Sequence, residues 1–545
     1  MRKSLVYLSS LLIIVGVTAA QVPQEGMHLL YLPLIWRAPQ AAEYGMDFIS
    51  AADAAADENR YQRGLSTGAD WNRWPLYWYY VETGEGVFDW SYGDGVVAND
   101  LAHGLQTELI LMGTPSFYAT GGDAAAPRPQ VGRRPIQRTG LSAGQDELPN
   151  PVITPPIGLY EPVFSDGDVP GPDKEINPDN KWARFVFKVV EHYSPLGVTH
   201  WEIWNEPDLD SFWAGTVEDY ARLLKVGYLA ARQADPNAQI IVGGLANFEK
   251  PFFLGDVLDV FAADPLAPDY GWFFDIVATH AYSCAWESWL YVYRARARLT
   301  KQGLEKDIWL NESGVPVWDD YPGPVCVPDS PYRATMEETA AYVIQSAMYA
   351  RYAGAEVVFH FQLYDDCGND AAGTSFPPLG EGESCDGYHF GGDAFGLFRN
   401  PSEGVVCHSQ HPQPDTPRPA FDAFRVLTIH LRGLEPLWRE RPEGQEWIAF
   451  SRPATGQQVL GLWSRSGISE TAVVTATGDS ALLIDYTGNT TQLVPENGVY
   501  TLQLGPATNQ NTTCYGGFEQ YAIGGPPLIL VESGIGLATS MGPNP

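Results

Sequence analysis

Two short stretches of the chain bring carboxylates to places where chemistry could start. In Trp201-Glu202-Ile203-Trp204-Asn205-Glu206-Pro207 an apolar run delivers Asn205 and Glu206 to a proline that cannot continue a hydrogen-bonded ladder. Asp307-Ile308-Trp309-Leu310-Asn311-Glu312-Ser313-Gly314 does the same for Glu312, with Gly314 allowing a turn. Between them, Asp275-Ile276-Val277-Ala278-Thr279-His280-Ala281-Tyr282 ends in His-x-Tyr. Two carboxyl groups at strand ends, one giving a proton and one staying charged to attack carbon, suit the cleavage of a glycosidic bond. An unpaired buried carboxylate is costly, so a purely structural role for both glutamates would need a compensating reason.

The elements around these stretches alternate. Eight short runs read as strands: Met46–Ser50, Leu76–Val81, Glu108–Met112, Thr199–Trp204, Gln239–Gly243, Phe274–Thr279, Ile308–Asn311 and Val357–Phe361. They are rich in Val, Ile, Leu and aromatics without strict alternation, as strands covered on both faces should be. Amphipathic segments such as Lys181–Tyr193, Val217–Gln233, Glu287–Lys301 and Ala334–Tyr352 lie between them. The fold class expected is therefore α/β, a (β/α)8 TIM barrel over 44–432, with active-site residues at the C-terminal ends of its strands. The connection at 121–179, dense in Pro and Gly, follows the third strand and is expected on the catalytic face. Short turn-bounded runs after 432 predict a C-terminal β-sandwich over 433–545 that packs on the barrel.

At the N-terminus Met1-Arg2-Lys3, the apolar run Leu5–Val17 and Thr18-Ala19-Ala20 read as a signal peptide at 1–20, followed by a linker at 21–43. The protein is expected to be secreted, with no membrane anchor, because no later stretch approaches the ~20 apolar residues of a span. The net charge of −33 argues against nucleic-acid partners, anionic membranes and polyanionic glycans, while a neutral oligo- or polysaccharide remains possible. Six cysteines permit fifteen pairings, of which Cys367–Cys385 closes the shortest plausible loop. No CxxC or HxxxH spacing suggests a metal, and no cofactor is expected. Trp71, Trp74, Trp286, Trp289 and Trp318 are candidate sugar platforms, each with core packing as the competing use.

Taken together, the three strand endings resemble those of glycoside hydrolase clan A, the retaining (β/α)8 glycosidases. The resemblance implies that Glu206, which follows Asn205 on strand four, is the acid/base and that Glu312 on strand seven is the nucleophile. It further implies that Asn205, His280, Tyr282 and Arg73 contact substrate or nucleophile. The stretch Trp204–Trp213, continuing through Thr216-Val217-Glu218-Asp219-Tyr220, looks most like family 39, and Gly396-Leu397-Phe398 with Arg418-Pro419-Ala420-Phe421 is similar to the last barrel helix of such enzymes. Strand eight departs from many clan members, carrying Phe359-His360-Phe361-Gln362 in place of a Trp. The expected function is hydrolysis of β-glycosidic bonds by double displacement. The alternative is a catalytically inactive glycan-binding protein on the same barrel.

Overall fold

A computed structural model of the chain describes residues 43–50, 57–120, 153–320, 334–365, 394–399, 401, 413–509 and 521–533. The leader, nearly all of the linker and the Cys367–Cys385 pairing lie outside these residues. Eight parallel strands close a barrel: β1 (Tyr44–Asp47), β2 (Trp71–Tyr77), β3 (Gln106–Met112), β4 (His200–Ile203), β5 (Gln239–Leu245), β6 (Ile276–Tyr282), β7 (Asp307–Gly314) and β8 (Val357–His360). Each pairs with its sequence neighbours, and β8 closes on β1. A helix follows each strand: α1 (Glu58–Thr67), α2 (Ser91–Ala102), α3 (Lys181–Tyr193), α4 (Val217–Ala234), α5 (Phe253–Ala262), α6 (Glu287–Lys301), α7 (Met336–Tyr352) and α8 (Pro419–His430). None of the described helices is long and apolar enough to cross a membrane.

All eight expected strands are present, but the first runs Tyr44–Asp47 instead of Met46–Ser50, and the second is displaced further. Leu76–Val81 was expected, whereas β2 runs Trp71–Tyr77 and Trp78–Val81 is a helical turn. Pro75 is the cause. β1 pairs only with Trp71–Arg73, and Arg73 turns its carbonyl towards β1 by accepting from Phe48 N at 3.0 Å. Two residues on, Pro75 faces the same side beyond the end of β1, where a missing N–H costs no ladder bond. A proline inside a strand thus reads in sequence as a boundary.

The barrel interior is layered. Trp71, Ile241, Ile276, Ala278, Trp309, Val357 and Phe359 form an apolar floor. Gly45 admits the Phe359 ring, since a Cβ there would sit 2.2 Å from ring carbons. Two positions further along their strands, Asp47, Arg73 and Asn311 follow Gly45, Trp71 and Trp309 and build a buried polar layer with Glu108 and Glu202. The described second half of the long connection, from residue 153, packs beside α4. Leu159, Val163 and Phe164 are buried, and Arg222 bonds Leu159 O and Asp168.

After α8 come β9 (Glu435–Glu440), β10 (Gln445–Arg452), β11 (Gln457–Ser464), β12 (Glu470–Thr475), β13 (Ala481–Asp485), β14 (Thr490–Leu493), β15 (Val499–Leu504) and β16 (Leu528–Ser533). A six-stranded antiparallel sheet, β9-β10-β11-β16-β13-β14, is faced by the pair β12–β15. Side chains alternate strictly. Ala449, Leu460, Leu462 and Leu530 meet β12 and β15 in the sandwich core. Ile448, Phe450, Val459, Trp463, Ile529 and Val531 turn the other way and merge with the barrel core. Between the two lies α7, which is not the amphipathic helix expected at Ala334–Tyr352: it is buried on all sides from Thr339 to Ala350, because the sandwich covers the face that solvent would otherwise take. Tyr349 crosses to the sandwich, donating its hydroxyl to Glu446 at 2.9 Å and standing edge-on to Trp463.

Glu446 is fully buried and also pairs with Arg439 at 2.6 Å and Arg441 at 2.7 Å. Removing the shared acceptor in Glu446→Ala leaves Tyr349 and Arg439 unmatched. The expected loss is about 2 kcal/mol, below the usual value for a broken buried pair because the arginines keep some solvent. Urea unfolding measures it, and an unchanged midpoint would remove Glu446 as the link between sandwich and barrel.

Candidate active site

Strand β4 reaches the mouth under backbone strain. Trp204 (φ 71°) and Glu206 (φ 45°) both occupy the left-handed region, which costs a non-glycine residue roughly 1–2 kcal/mol each. Packing holds them there. Trp204 N donates to Leu111 O at 3.0 Å, its indole donates to Phe212 O at 2.8 Å, and its ring meets Trp213 edge-on. Glu206 N donates to Gly244 O at 3.0 Å, tying the end of β4 to β5.

Two bulges re-aim the other strands. In β7, Thr279 faces Leu310 but His280 faces Glu312, so Asn311 is an extra residue. Asn311 bonds Glu108 inside the barrel at 3.0 Å, and Glu312, which regular alternation would turn outward, also points in. In β5, Val242 faces Val277 while Leu245 faces Thr279, so Gly243-Gly244 holds the extra residue. Gly244 lies flat against the His280 ring, where a Cβ would stand 1.9 Å from Nε2.

These deformations gather Glu206, His280 and Glu312, whose facing carboxylate oxygens and ring nitrogen all lie within 4.8 Å of one another. His280 Nδ1 stands between them, 2.9 Å from Glu206 Oε1 and 3.3 Å from Glu312 Oε2. Glu312 is held on both oxygens: Arg73 donates to Oε1 at 2.7 Å and the Tyr282 hydroxyl donates to Oε2. Burial opposes its ionisation, but His280, Arg73 and the Tyr282 bond outweigh it and keep the carboxyl below its ordinary range. The same trio has the spacing of a cation site. Because Glu312 already commits one oxygen to a guanidinium and the other to a phenol, a cation there would find its charge largely compensated.

Arg73 is fully buried beneath the site. Its Nε and Nη2 form a fork on Glu202 at 2.8 and 3.1 Å, Nη1 bonds Asp47 at 3.1 Å as well as Glu312, and Nη2 bonds Asn205 Oδ1 at 2.8 Å. Asp47 and Glu108 are pushed well above the carboxylate range, Asp47 by burial and the nearby Glu312, Glu108 by burial and the nearby Glu202.

Of the sequence-expected residues, Glu206, Glu312, Asn205, His280, Tyr282 and Arg73 thus form one connected cluster. Trp286 is buried at the N-terminus of α6 with no contact to this cluster among the bonds described, and Trp71 and Trp74 are buried as well. Phe361, at the end of β8, meets Tyr282, Phe48 and Phe395 edge-on and stays half-buried. Sequence reasoning passed over Asp47, Glu108, Glu202, Asp208 and Gly244. The Gly-Gly pair and the acids spaced through apolar strands were the available signals.

Asp208 is buried two residues from Glu206 and accepts from Ala246 N at 3.0 Å and Asn247 N at 2.6 Å. Burial and the Glu206 charge, opposed by those amides and by His280, push its carboxyl from 3.8 up to about 7. Between those values the folded chain binds more protons than the unfolded one, so this group makes stability fall as pH rises through the window. Asp208→Asn is expected to flatten the slope of unfolding free energy against pH between about 4 and about 7, by up to one proton equivalent. Superimposable slopes in variant and wild type would refute the assignment. Gly244→Ala is expected to fold yet to lose activity at least tenfold, because its methyl displaces the imidazole between the two glutamates; undiminished turnover would show that the ring can move freely.

Comparison with known proteins agrees with this geometry. Residues 160–441 match the family of glycosyl hydrolases 39. A β-xylosidase of Caldicellulosiruptor saccharolyticus is 37% identical over 73 residues, 12% of this chain and 14% of that protein. One from Geobacillus stearothermophilus is 31% identical over 115 residues, 19% of this chain and 21% of that protein. The matched stretches therefore span about a fifth or less of those enzymes. Among solved structures, a family 39 glycoside hydrolase from Bacteroides cellulosilyticus WH2 aligns at TM-score 0.55 and 17% identity, over 90% of this chain and 81% of that one. A monomeric β-xylosidase from Caulobacter crescentus CB15 aligns at TM-score 0.51 and 14% identity, over 90% of this chain and 98% of that one. These structures share its fold. With the profile covering more than half of the residues, the chain belongs to glycosyl hydrolase family 39.

Proposed function

We propose that this protein is an exported retaining β-glycosidase of neutral oligosaccharides, with β-xylosides as the first substrates to test. Its observation is the pair of carboxylates that meet at His280, one oxygen of each within 4.8 Å of the other, with Glu312 clamped by Arg73 and Glu206 beside His280 Nδ1. Closely facing carboxylates suit direct attack by one of them on the anomeric carbon, the arrangement of retaining enzymes, whose carboxyl groups stand ~5–5.5 Å apart. The β-xyloside choice follows the names of the relatives. Export follows the basic-apolar-small leader at 1–20, and a secreted chain can pair its cysteines.

In the first step Glu206 gives its proton to the glycosidic oxygen as the bond to the anomeric carbon breaks, and the Glu312 carboxylate bonds that carbon. Arg73 and Tyr282 keep Glu312 charged and fixed in rotamer, so its attack needs no reorganisation. Asn205, oriented by Arg73 through Oδ1, presents its amide N–H groups to a sugar hydroxyl. In the second step water attacks the same carbon, its proton returns to Glu206, and Glu312 leaves. His280 follows the charge as it passes from one carboxylate to the other.

Proton NMR of the first product from an aryl β-xyloside is expected to show the β-anomer. Glu312→Gln is expected to lower kcat on the order of 10⁴-fold on every substrate. Glu206→Gln is expected to cost about 10²- to 10⁴-fold on a disaccharide but far less on a dinitrophenyl glycoside, whose leaving group needs no proton. An α-anomer as first product, or variants as active as wild type, would sink the proposal.

A further inference from the structure

The acid/base side of the mouth carries a rigid wall with an unexplained aromatic side chain at its edge. The loops after β4 and β5 are fastened to each other at four points around Phe248. Asp208 holds Ala246 N and Asn247 N, Asp210 N donates to Glu249 Oε2 at 2.8 Å, and Lys250 Nζ bonds Asp210 Oδ1 at 2.6 Å. Asn247 is in the left-handed region (φ 59°) and pins itself through its amide to Leu245 O and Thr279 Oγ1 at 2.8 and 2.7 Å. A loop fixed this firmly nevertheless leaves the Phe248 side chain 66% exposed. Phe252, one turn on, is also exposed, but its ring is covered by the Arg298 guanidinium at 5.3 Å. Phe248 has no ring or cation against it among the described residues.

An exposed apolar ring on a mobile loop would be ordinary, since much of any protein surface is apolar. Here the loop is hydrogen-bonded to Asp208, two residues from Glu206, and its strained turn presents the ring. Preorganised aromatic surface binds at low entropy cost. The acid/base carboxyl protonates the leaving group, so a wall built on its strand end borders the leaving-group side of the cleft. We propose that Phe248 is the stacking platform for the leaving-group sugar and sets the preference for oligosaccharides over simple glycosides. This rests on the assignment of Glu206 as the proton donor.

The role divides the two half-reactions. A leaving-group platform acts on bond cleavage and on capture of sugar acceptors, and has no part in attack by water on the covalent intermediate. Full-length wild type, Phe248→Ala and Phe248→Trp are compared on xylobiose, on a dinitrophenyl β-xyloside and on transfer to added xylose as acceptor. Phe248→Ala is expected to lower kcat/KM on xylobiose roughly tenfold, the size of one stacked ring, and to lower the transfer-to-hydrolysis ratio similarly. Its kcat on the dinitrophenyl substrate should stay within about twofold of wild type, and Phe248→Trp should restore xylobiose cleavage. Equal losses on both substrates, or none on xylobiose with an active wild type, overturn the platform. If the wild type cleaves the dinitrophenyl substrate and no disaccharide from a xylo-, gluco- and galacto-configured set, the platform also fails while the hydrolase reading stands. A wild type inert on every glycoside would instead overturn the hydrolase reading, and the platform with it.

Discussion

One guanidinium organises this barrel. Arg73 has five N–H donors, and the five contacts they make reach Glu202, Asp47, Glu312 and Asn205 on strands β4, β1, β7 and the end of β4. Four carboxyl groups around one buried cation would repel one another if all were charged. Burial pushes the carboxyl groups of Asp47 and Glu108 up, away from the charged form, while His280, Arg73 and the Tyr282 bond hold Glu312 at the rim below its ordinary range. An arginine is suited to the task because its planar fork grips Glu202 with one edge and still reaches Glu312 and Asn205.

Above that layer, the site is made from departures from regular structure. A regular β7 would alternate Glu312 away from the interior, and the bulge at Asn311 reverses it. A regular β5 with side chains would exclude the His280 ring, and Gly244 admits it. A relaxed β4 would not turn at Trp204 and Glu206, and the cluster of Trp204, Trp213 and Trp182 bears the cost of the left-handed turn. Each irregularity moves a different reactive group towards the same point, where strain is tolerated because the surrounding packing over-determines it.

What could be read in the sequence follows the same division. Regular features were legible: continuous apolar barrel strands, helical segments between them, and the short turn-bounded runs of the sandwich. Strand β2 was misread because the harmlessness of Pro75 depends on where β1 stops, a long-range fact. Strands β9 and β14, Glu435–Glu440 and Thr490–Leu493, were missed because charge, proline and short polar runs hide an edge strand whose outer face is wet. At the site, the residues at strand ends were visible as motifs. The acids below them were not, because an isolated acid in an apolar strand gains meaning only once Arg73 lies opposite.

The sandwich has its place in the same logic. α7 directly follows the strand of Glu312, and its Tyr342 hydroxyl bonds Ala281 O, between His280 and Tyr282, at 2.7 Å. Its outer side meets the sandwich through Gln345, which bonds Gly524 N and Gly525 O, and through Tyr349. Ala285 N, three residues past Tyr282, donates directly to Ala522 O at 3.0 Å. The two strands that carry His280, Tyr282 and Glu312 are therefore braced from behind by a helix that is itself clamped, while the strands carrying Arg73 and Glu206 are braced by the barrel and its long connection. A half-ångström shift of Glu312 would loosen its bonds to Arg73 and to the Tyr282 hydroxyl, and preorganised polar groups tolerate little such movement. The sandwich meets the barrel behind β6 and β7, the side of the fold that this bracing fixes, and carries no reactive cluster of its own among the described residues.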